Sequence, residues 1–326
     1  MTPTSFDTHA ESLRVHIEQY LATSVPPGLP SLYDPVRDML TAGGKRVRPL
    51  LTALAAGPDA PSDHWLPAAC AVELLHTFTL VHDDIMDNAA SRRGRPTTHV
   101  AYGVNTAILS GDVIIALATE SLARTTSPTV HFMLEEFGLA FRRVCEGQAL
   151  DKEFELRDDL TVEEYLHMID LKTSKVLELA AVLGALAVES SHKEDLRAFA
   201  HHLGLAFQIS DDLLDLTADQ AAFGKTIGGD IVEGKRTLLF VCATEHYSRM
   251  NVQQRALMDR IRDHAATAED VPLARELFST LGVLTSAERI AKQETDRAKA
   301  ALGRVPVSEA RQHLEVFCDR LLGRSS

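Results

Sequence analysis

The chain has 326 residues, of which 45% are hydrophobic and 24% charged, with a formal net charge of −13. That length and composition suit a soluble globule with a sizeable core, and the negative balance excludes nucleic acid or an anionic membrane as the main partner. Four cysteines (Cys70, Cys145, Cys242, Cys318) lack metal-type spacing and read as buried, reduced thiols of a cytoplasmic protein. Asp7, Glu11, Arg14 and Glu18 lie where a signal peptide needs an apolar run, and no stretch approaches the roughly 18 apolar residues of a membrane span. The protein is therefore not expected to be an integral membrane protein.

Nearly every periodic segment predicts helix. Leu13, Ile17, Tyr20 and Leu21 share one apolar face, and the cluster Pro26-Pro27-Gly28-Leu29-Pro30 ends that segment. Gly43-Gly44-Lys45-Arg46-Val47-Arg48-Pro49 then sets three cations beside a glycine pair. Such a segment lets backbone approach a phosphate closely while Lys and Arg clamp it. Residues 66–87 form a long, mostly apolar helix that ends in Asp83-Asp84-Ile85-Met86-Asp87. Arg92-Arg93-Gly94-Arg95-Pro96 follows at once, and three cations just downstream of three aspartates point to a shared anionic ligand. His76 and His82 lie on the approach to these aspartates, where a lone histidine more often packs or hydrogen-bonds than ligates a metal.

Ser127-Pro128 reads as a cap with proline at the first helical position, and Thr161-x-x-Glu164 and Ser191-x-x-Glu194 as capping boxes. Lys172-Thr173 opens an apolar helix over 173–188; a lone lysine there usually snorkels. Residues 196–216 form another, carrying Asp211-Asp212-Leu213-Leu214-Asp215. The following loop, with Gly224-Lys225-Thr226-Ile227-Gly228-Gly229-Asp230 and Glu233-Gly234-Lys235-Arg236-Thr237, has the glycines and cations of a lid over phosphates. Strand signals are absent, as are repeats and linkers, so one all-α domain over residues 1–326 is expected.

The two D-D-x-x-D stretches carry the most chemistry. Residues four apart share a helix face, so Asp83 stacks with Asp87 and Asp211 with Asp215. Carboxylates stacked this way repel unless a counter-charge sits between them. Mg²⁺ is the natural one, since it takes carboxylate oxygens, keeps waters and completes its shell with substrate phosphates.

Taken in order, GGKRVRP, DDIMD with RRGRP, Gly147-Gln148, Lys172-Thr173, QISDDLLD from Gln208 to Asp215 and the glycine–lysine loops resemble the trans-isoprenyl diphosphate synthases, or polyprenyl synthetases. The resemblance implies an isoprenoid-synthase-type helical bundle around a deep central cavity, usually a homodimer, with the acidic motifs facing each other at the cavity mouth. It implies that Asp83, Asp87 and Asp211 are the main ligands of three Mg²⁺, with Asp84, Asp212 and Asp215 acting through water or behind them. Arg92, Lys172 and Lys225 would hold the allylic prenyl diphosphate, with Lys235 nearby. Lys45, Arg48, His76 and Arg93 would hold isopentenyl diphosphate. The tail from Arg320 to Ser326 matches the family's basic C-terminus imperfectly, and its role stays open.

The implied reaction is ionisation, condensation and elimination. The allylic cation would be stabilised by the Thr173 hydroxyl, the Gln208 carbonyl and the Lys172 backbone carbonyl. The double bond of isopentenyl diphosphate would attack it, and the condensed cation would then lose a proton to the released diphosphate. In this family, bulk just upstream of the first aspartates limits product length. Phe78 with the small Thr79 beside it, and Leu75 a turn earlier, resemble the geranylgeranyl-type arrangement. Geranylgeranyl diphosphate is the expected product, with farnesyl and then farnesylgeranyl diphosphate as alternatives. A class I terpene cyclase would lack GGKRVRP and carry a different second metal motif, and a head-to-head synthase has no isopentenyl site. A non-catalytic regulatory subunit typically has damaged aspartate motifs, and both are complete here.

Overall fold

The computed structural model describes residues 3–217 and 227–323. The helices, in chain order, are α1 (Pro3–Ser24), α2 (Pro30–Thr41), α3 (Val47–Ala56), α4 (Ser62–Met86), α5 (Thr98–Tyr102), α6 (Val104–Ala123), α7 (Val130–Phe154), α8 (Val162–Ile169), α9 (Lys175–Ala187), α10 (Lys193–Thr217), α11 (Gly229–Val232), α12 (Leu238–Thr244), α13 (Val252–Arg262), α14 (Asp270–Thr280), α15 (Val283–Leu302) and α16 (Glu309–Leu322). The all-α expectation holds. Among the described residues the exception is a two-residue ladder in which β1 (Ser91–Arg92) pairs antiparallel with β2 (Arg95–Pro96). Its turn residues Arg93 and Gly94 have φ of 54° and 74°, the left-handed pair that a tight hairpin needs.

The chain gathers into two compact units. The first comprises Met1–Arg142, Val176–Ala200 and Ala301–Phe317; the second comprises Arg143–Lys175, His201–Ala300 and Cys318–Ser326. In the first, α4 packs along α6 and is covered by α1 and α3. Residues Ala68 to Leu75 of α4 are buried without a break, the pattern of a helix enclosed by others. Leu50, Leu51 and Leu54 of α3, Leu74 and Leu75 of α4, and Ile114 and Leu122 of α6 have almost no exposure. By length and mean hydropathy α6 could cross a membrane, an exception to the sequence expectation. It buries Ala107, Gly111, Ile114 and Ala118 in this unit. The second unit has its own core, built from Leu205, Ile209 and Leu216 of α10, the α12 run Leu238–Ala243, and Phe278 of α14.

Several local expectations need correction. Helix α4 starts at Ser62, a turn before the expected 66, although Pro67 lies inside it. Proline removes the N–H that would bond the Asp63 carbonyl, and that carbonyl accepts instead from Thr126 N at 3.1 Å and Thr125 Oγ1 at 3.2 Å. Ser127-Pro128 forms a turn before α7, with Ser127 Oγ accepting from Thr129 N at 3.3 Å, and the helix begins only at Val130. Before α10 it is Ser190, not Ser191, whose Oγ accepts a backbone N–H, that of His192 at 3.2 Å, and this bond closes a turn ahead of the helix. The Thr161–Glu164 capping box is present in full. All four cysteines are free, but Cys145 is exposed on α7.

Candidate active site

In the first unit the candidate side chains come from the end of α4, the hairpin and the segment before α3. Asp83 is half-buried, Asp87 is the exposed residue that ends α4, and its N–H bonds the Asp83 carbonyl at 2.9 Å. Asp84, 4% exposed, turns inward, and Arg92 Nη2 reaches its Oδ1 at 2.8 Å. Burial raises the Asp84 carboxyl above the ordinary range, and Arg92 opposes that shift. The paired aspartates of this motif thus divide by helix face, with Asp84 holding Arg92 in place.

Arg93 folds back over the glycine pair. Its Nη1 donates to the Gly43 carbonyl at 2.6 Å, and a Cβ on Gly44 would stand 3.0 Å from the same nitrogen. Lys45 is exposed, whereas Arg46 is buried among carboxylates. Burial, with Arg93 nearby, brings the Arg48 pKa down to about 10, against the pull of Glu73. Its Nε is buried with no hydrogen-bond partner among the described residues. His76 is driven well below its usual range, first by burial and then by Arg48, Arg93, Arg92 and Arg46. It is therefore a neutral imidazole at pH 7 in a field of guanidinium groups. An unsatisfied, desolvated Arg48 donor beside Arg93 and a neutral His76 is an arrangement that can take up an anion.

Further back along α4, Phe78 is 8% exposed and meets Phe141 of α7 edge-on, with ring centroids 5.3 Å apart. Leu75 is fully buried, and the Thr79 hydroxyl is bonded back to the His76 carbonyl at 2.7 Å. Phe141 was not among the sequence candidates, because it lies on another helix with no motif around it.

In the second unit Lys172 and Thr173 lie on a π-helical turn, Asp170–Ser174, between α8 and α9. Single π-turns of this kind recur at functional sites. Two glycines make room for it. A Cβ on Gly147 would come within 2.5 Å of Lys172 N, and one on Gly204 within 2.6 Å of Ser174 Cα. Lys172 Nζ contacts Asp151 Oδ2 at 2.6 Å. Asp151 follows Gly147 by four residues on α7, and that spacing is the signal by which sequence reasoning could have found it.

Thr173 Oγ1 donates to Gln208 Oε1 at 3.0 Å, and Gln208 Nε2 donates to Asp212 Oδ1 at 3.0 Å. Asp212 also accepts from the Tyr165 hydroxyl and from Leu238 N at 3.2 Å. Burial, together with Asp230, pushes the Asp212 carboxyl up to about 7. Asp215 accepts from Asp230 N at 3.0 Å, and burial raises both carboxyls, with Asp230 adding to the rise at Asp215 and Glu233 and Asp211 to that at Asp230. Lys235 lies 3.4 Å from Asp230 and 2.7 Å from Glu233. Asp230 was passed over in the sequence, where its glycine-rich loop was read for cations. Tyr165 had no sequence signal. Lys225 lies outside the described residues.

Residues 29–278 match the family model described as polyprenyl synthetase. The chain belongs to the polyprenyl synthetase family. It is therefore a prenyltransferase, and prenyl-chain condensation is its reaction. The geranylfarnesyl diphosphate synthase of Natronomonas pharaonis is 36% identical, over 97% of this chain and 98% of its own. The geranylgeranyl pyrophosphate synthetase of Pyrococcus horikoshii superposes with a TM-score of 0.88 at 34% identity, covering 98% of both chains. A polyprenyl synthase from Caulobacter crescentus, solved with calcium and isoprenyl diphosphate, gives 0.87 at 33% identity over 98% of this chain and 97% of that one. These likenesses make the polyprenyl synthetase helical fold the frame of both units.

Proposed function

We propose that this chain joins isopentenyl diphosphate to an allylic prenyl diphosphate in head-to-tail fashion and releases chiefly the twenty-carbon geranylgeranyl diphosphate. The observation that carries the product length is Phe78, buried edge-on against Phe141 two turns of helix or less before the first aspartates. An aromatic wall there, with a threonine rather than a second aromatic beside it, leaves depth for an intermediate-length chain. One finding favours a twenty-five-carbon product instead: the geranylfarnesyl synthase of N. pharaonis is similar over nearly the whole chain.

The donor set fits a divalent cation. Asp83, Asp87 and Asp211 would hold three Mg²⁺, with Asp84, Asp212 and Asp215 behind them; all are hard carboxylate oxygens. Asp230 and Asp211 push the Asp215 carboxyl up, and Glu233 and Asp211 that of Asp230, an excess of negative charge that a dication relieves. When bound, such ions supply Lewis-acid stabilisation of the diphosphate leaving group. The relative from C. crescentus was solved with calcium and isoprenyl diphosphate, in keeping with this assignment.

Arg92, Lys172 and Lys225, with Lys235 nearby, hold the allylic diphosphate and stabilise its negative charge as it departs. Lys45, Arg48, His76 and Arg93 hold isopentenyl diphosphate. Thr173, Gln208 and the Lys172 carbonyl supply oxygen dipoles to the allylic cation. Asp212 orients this set, because it accepts from the Gln208 amide nitrogen and so aims the amide oxygen at Thr173. The leaving diphosphate takes the final proton, so no protein base is needed. A homodimer is supported by the apolar side chains exposed on α6 (Val104, Ile108, Leu109) and α7 (Phe132, Leu134, Leu139). A single catalytic domain in the cytoplasm completes the reading.

The test is the product profile of the purified chain with Mg²⁺, labelled isopentenyl diphosphate and each allylic primer in turn. A dominant twenty-carbon product supports the proposal, and a fifteen- or twenty-five-carbon one overturns the Phe78 wall. Full activity in Asp83→Ala or Asp211→Ala would refute the carboxylate assignment.

A further inference from the structure

Of the three cations in the Gly43–Pro49 segment, Arg46 has a different task from its neighbours. It is 5% exposed and sits at φ 47°, a left-handed conformation that costs a side-chain-bearing residue energy. Its Nε donates to Glu18 Oε1 at 2.6 Å and its Nη2 to Glu18 Oε2 at 3.1 Å. Nη2 also donates to the Leu40 carbonyl at 2.6 Å, and Nη1 to Glu73 Oε1 at 2.6 Å. Burial alone would lower its pKa, but Glu18 and Glu73 outweigh that and raise it. Every nitrogen of the fork is committed inside the protein, so none is left for a phosphate.

The placement of these bonds links the anion-binding residues. Glu73 lies on α4 three residues before His76, close to the same helix face. Lys45 and Arg48 flank Arg46 in the chain, and Gly43 of the same segment accepts from Arg93. A cluster made of Arg48, Arg93 and a neutral His76 repels itself when no anion is bound, so something outside it must hold it together. Glu18 and Glu73 provide that opposing charge, and the rigid arginine fork converts it into position.

We infer that Arg46, clamped by Glu73 and Glu18, is the positioning residue of the isopentenyl diphosphate subsite, holding the Lys45–Arg48 segment in register with His76 without touching substrate. The inference rests on the assignment of Lys45, Arg48, His76 and Arg93 to that substrate.

The experiment measures kcat and the two KM values separately, for isopentenyl diphosphate and for the allylic primer, in full-length protein with Mg²⁺. The variants are Arg46→Lys, Glu73→Gln, Glu18→Gln and, as a check on the subsite itself, Arg48→Ala. Arg46→Lys and Glu73→Gln are expected to raise KM for isopentenyl diphosphate about tenfold to a hundredfold, the scale of an ångström-sized misplacement. KM for the primer and kcat at saturating isopentenyl diphosphate stay as in wild type. Glu18 is half-exposed, so Glu18→Gln should fold in any case and show a smaller rise in the same KM. A lowered thermal midpoint with both KM values unchanged, or an equal rise in both, would overturn the inference. If Arg48→Ala leaves KM for isopentenyl diphosphate unchanged, the subsite assignment itself fails. If Arg48→Ala raises it and the Arg46, Glu73 and Glu18 variants do not, only the positioning role fails.

Discussion

Gly147 offers the sharpest test of how the fold holds its reactive groups. Its position on α7 faces the π-helical turn, where a Cβ would lie 2.5 Å from Lys172 N and 2.9 Å from both Leu171 C and Leu171 Cβ. Ordinary contacts between such atoms lie near 3.5–4.0 Å, so Gly147→Ala forces a separation of about 1 Å between α7 and the turn. The obstructing atoms are mostly backbone, which cannot rotate away. Overpacking of this kind costs about 1–3 kcal/mol. Because Lys172 and Thr173 ride on that turn, the same displacement should lower kcat on the order of a hundredfold. Urea denaturation and steady-state turnover of Gly147→Ala measure both quantities. Unchanged stability together with unchanged kcat would show that the glycine is not needed for the approach, and the account of the π-turn would be wrong. Gly204→Ala attacks the turn from α10, against Ser174 Cα at 2.6 Å, and should act in the same direction.

Removing the aromatic wall with Phe78→Ala should lengthen the product, read by chromatography of the dephosphorylated alcohols; an unchanged profile would place the wall elsewhere. Thr161→Ala should cost about 0.5–2 kcal/mol in denaturant unfolding through loss of the α8 cap. The Thr161 backbone N–H, and then Arg157, hold the Glu164 carboxyl near a pKa of about 2 against an ordinary 4.5. A depressed acid contributes its stability in full above the ordinary value and loses it as pH falls toward the folded value. The unfolding midpoint of wild type should therefore drop more between about pH 4.5 and 2 than that of Glu164→Gln, and parallel curves would contradict the assignment.

The helical class and the reactive residue types were legible because both rest on local rules. Apolar positions recurring with helical period mark α1, α4 and α10, and i,i+4 spacing alone puts Asp83 with Asp87 and Asp211 with Asp215. Thr161-x-x-Glu164 was readable for the same reason, since a capping box closes within four residues. Where the cue is local but ambiguous, a turn is mistaken for a cap, as at Ser127-Pro128 and at Ser191, next to the Ser190 turn.

What only the tertiary structure decided were partnerships between residues far apart in the chain. Asp84 and Asp83 are adjacent and chemically identical, yet one is buried against Arg92 while the other shares a face with Asp87. Arg46 and Arg48 look equivalent in GGKRVRP. Glu18, 28 residues earlier, and Glu73, 27 later, make the first a buried anchor, while the second keeps an unsatisfied donor. Asp151, Tyr165, Asp230 and Phe141 acquire roles only because folding brings Lys172, Asp212, Asp215 and Phe78 to them. Residue type and helical period are properties of a short stretch of chain, so the sequence by itself determined them. Burial and ion pairing depend on which distant segments share a low-dielectric interior, and there the packed chain alone sets which of two like residues is a strut and which keeps an unsatisfied donor.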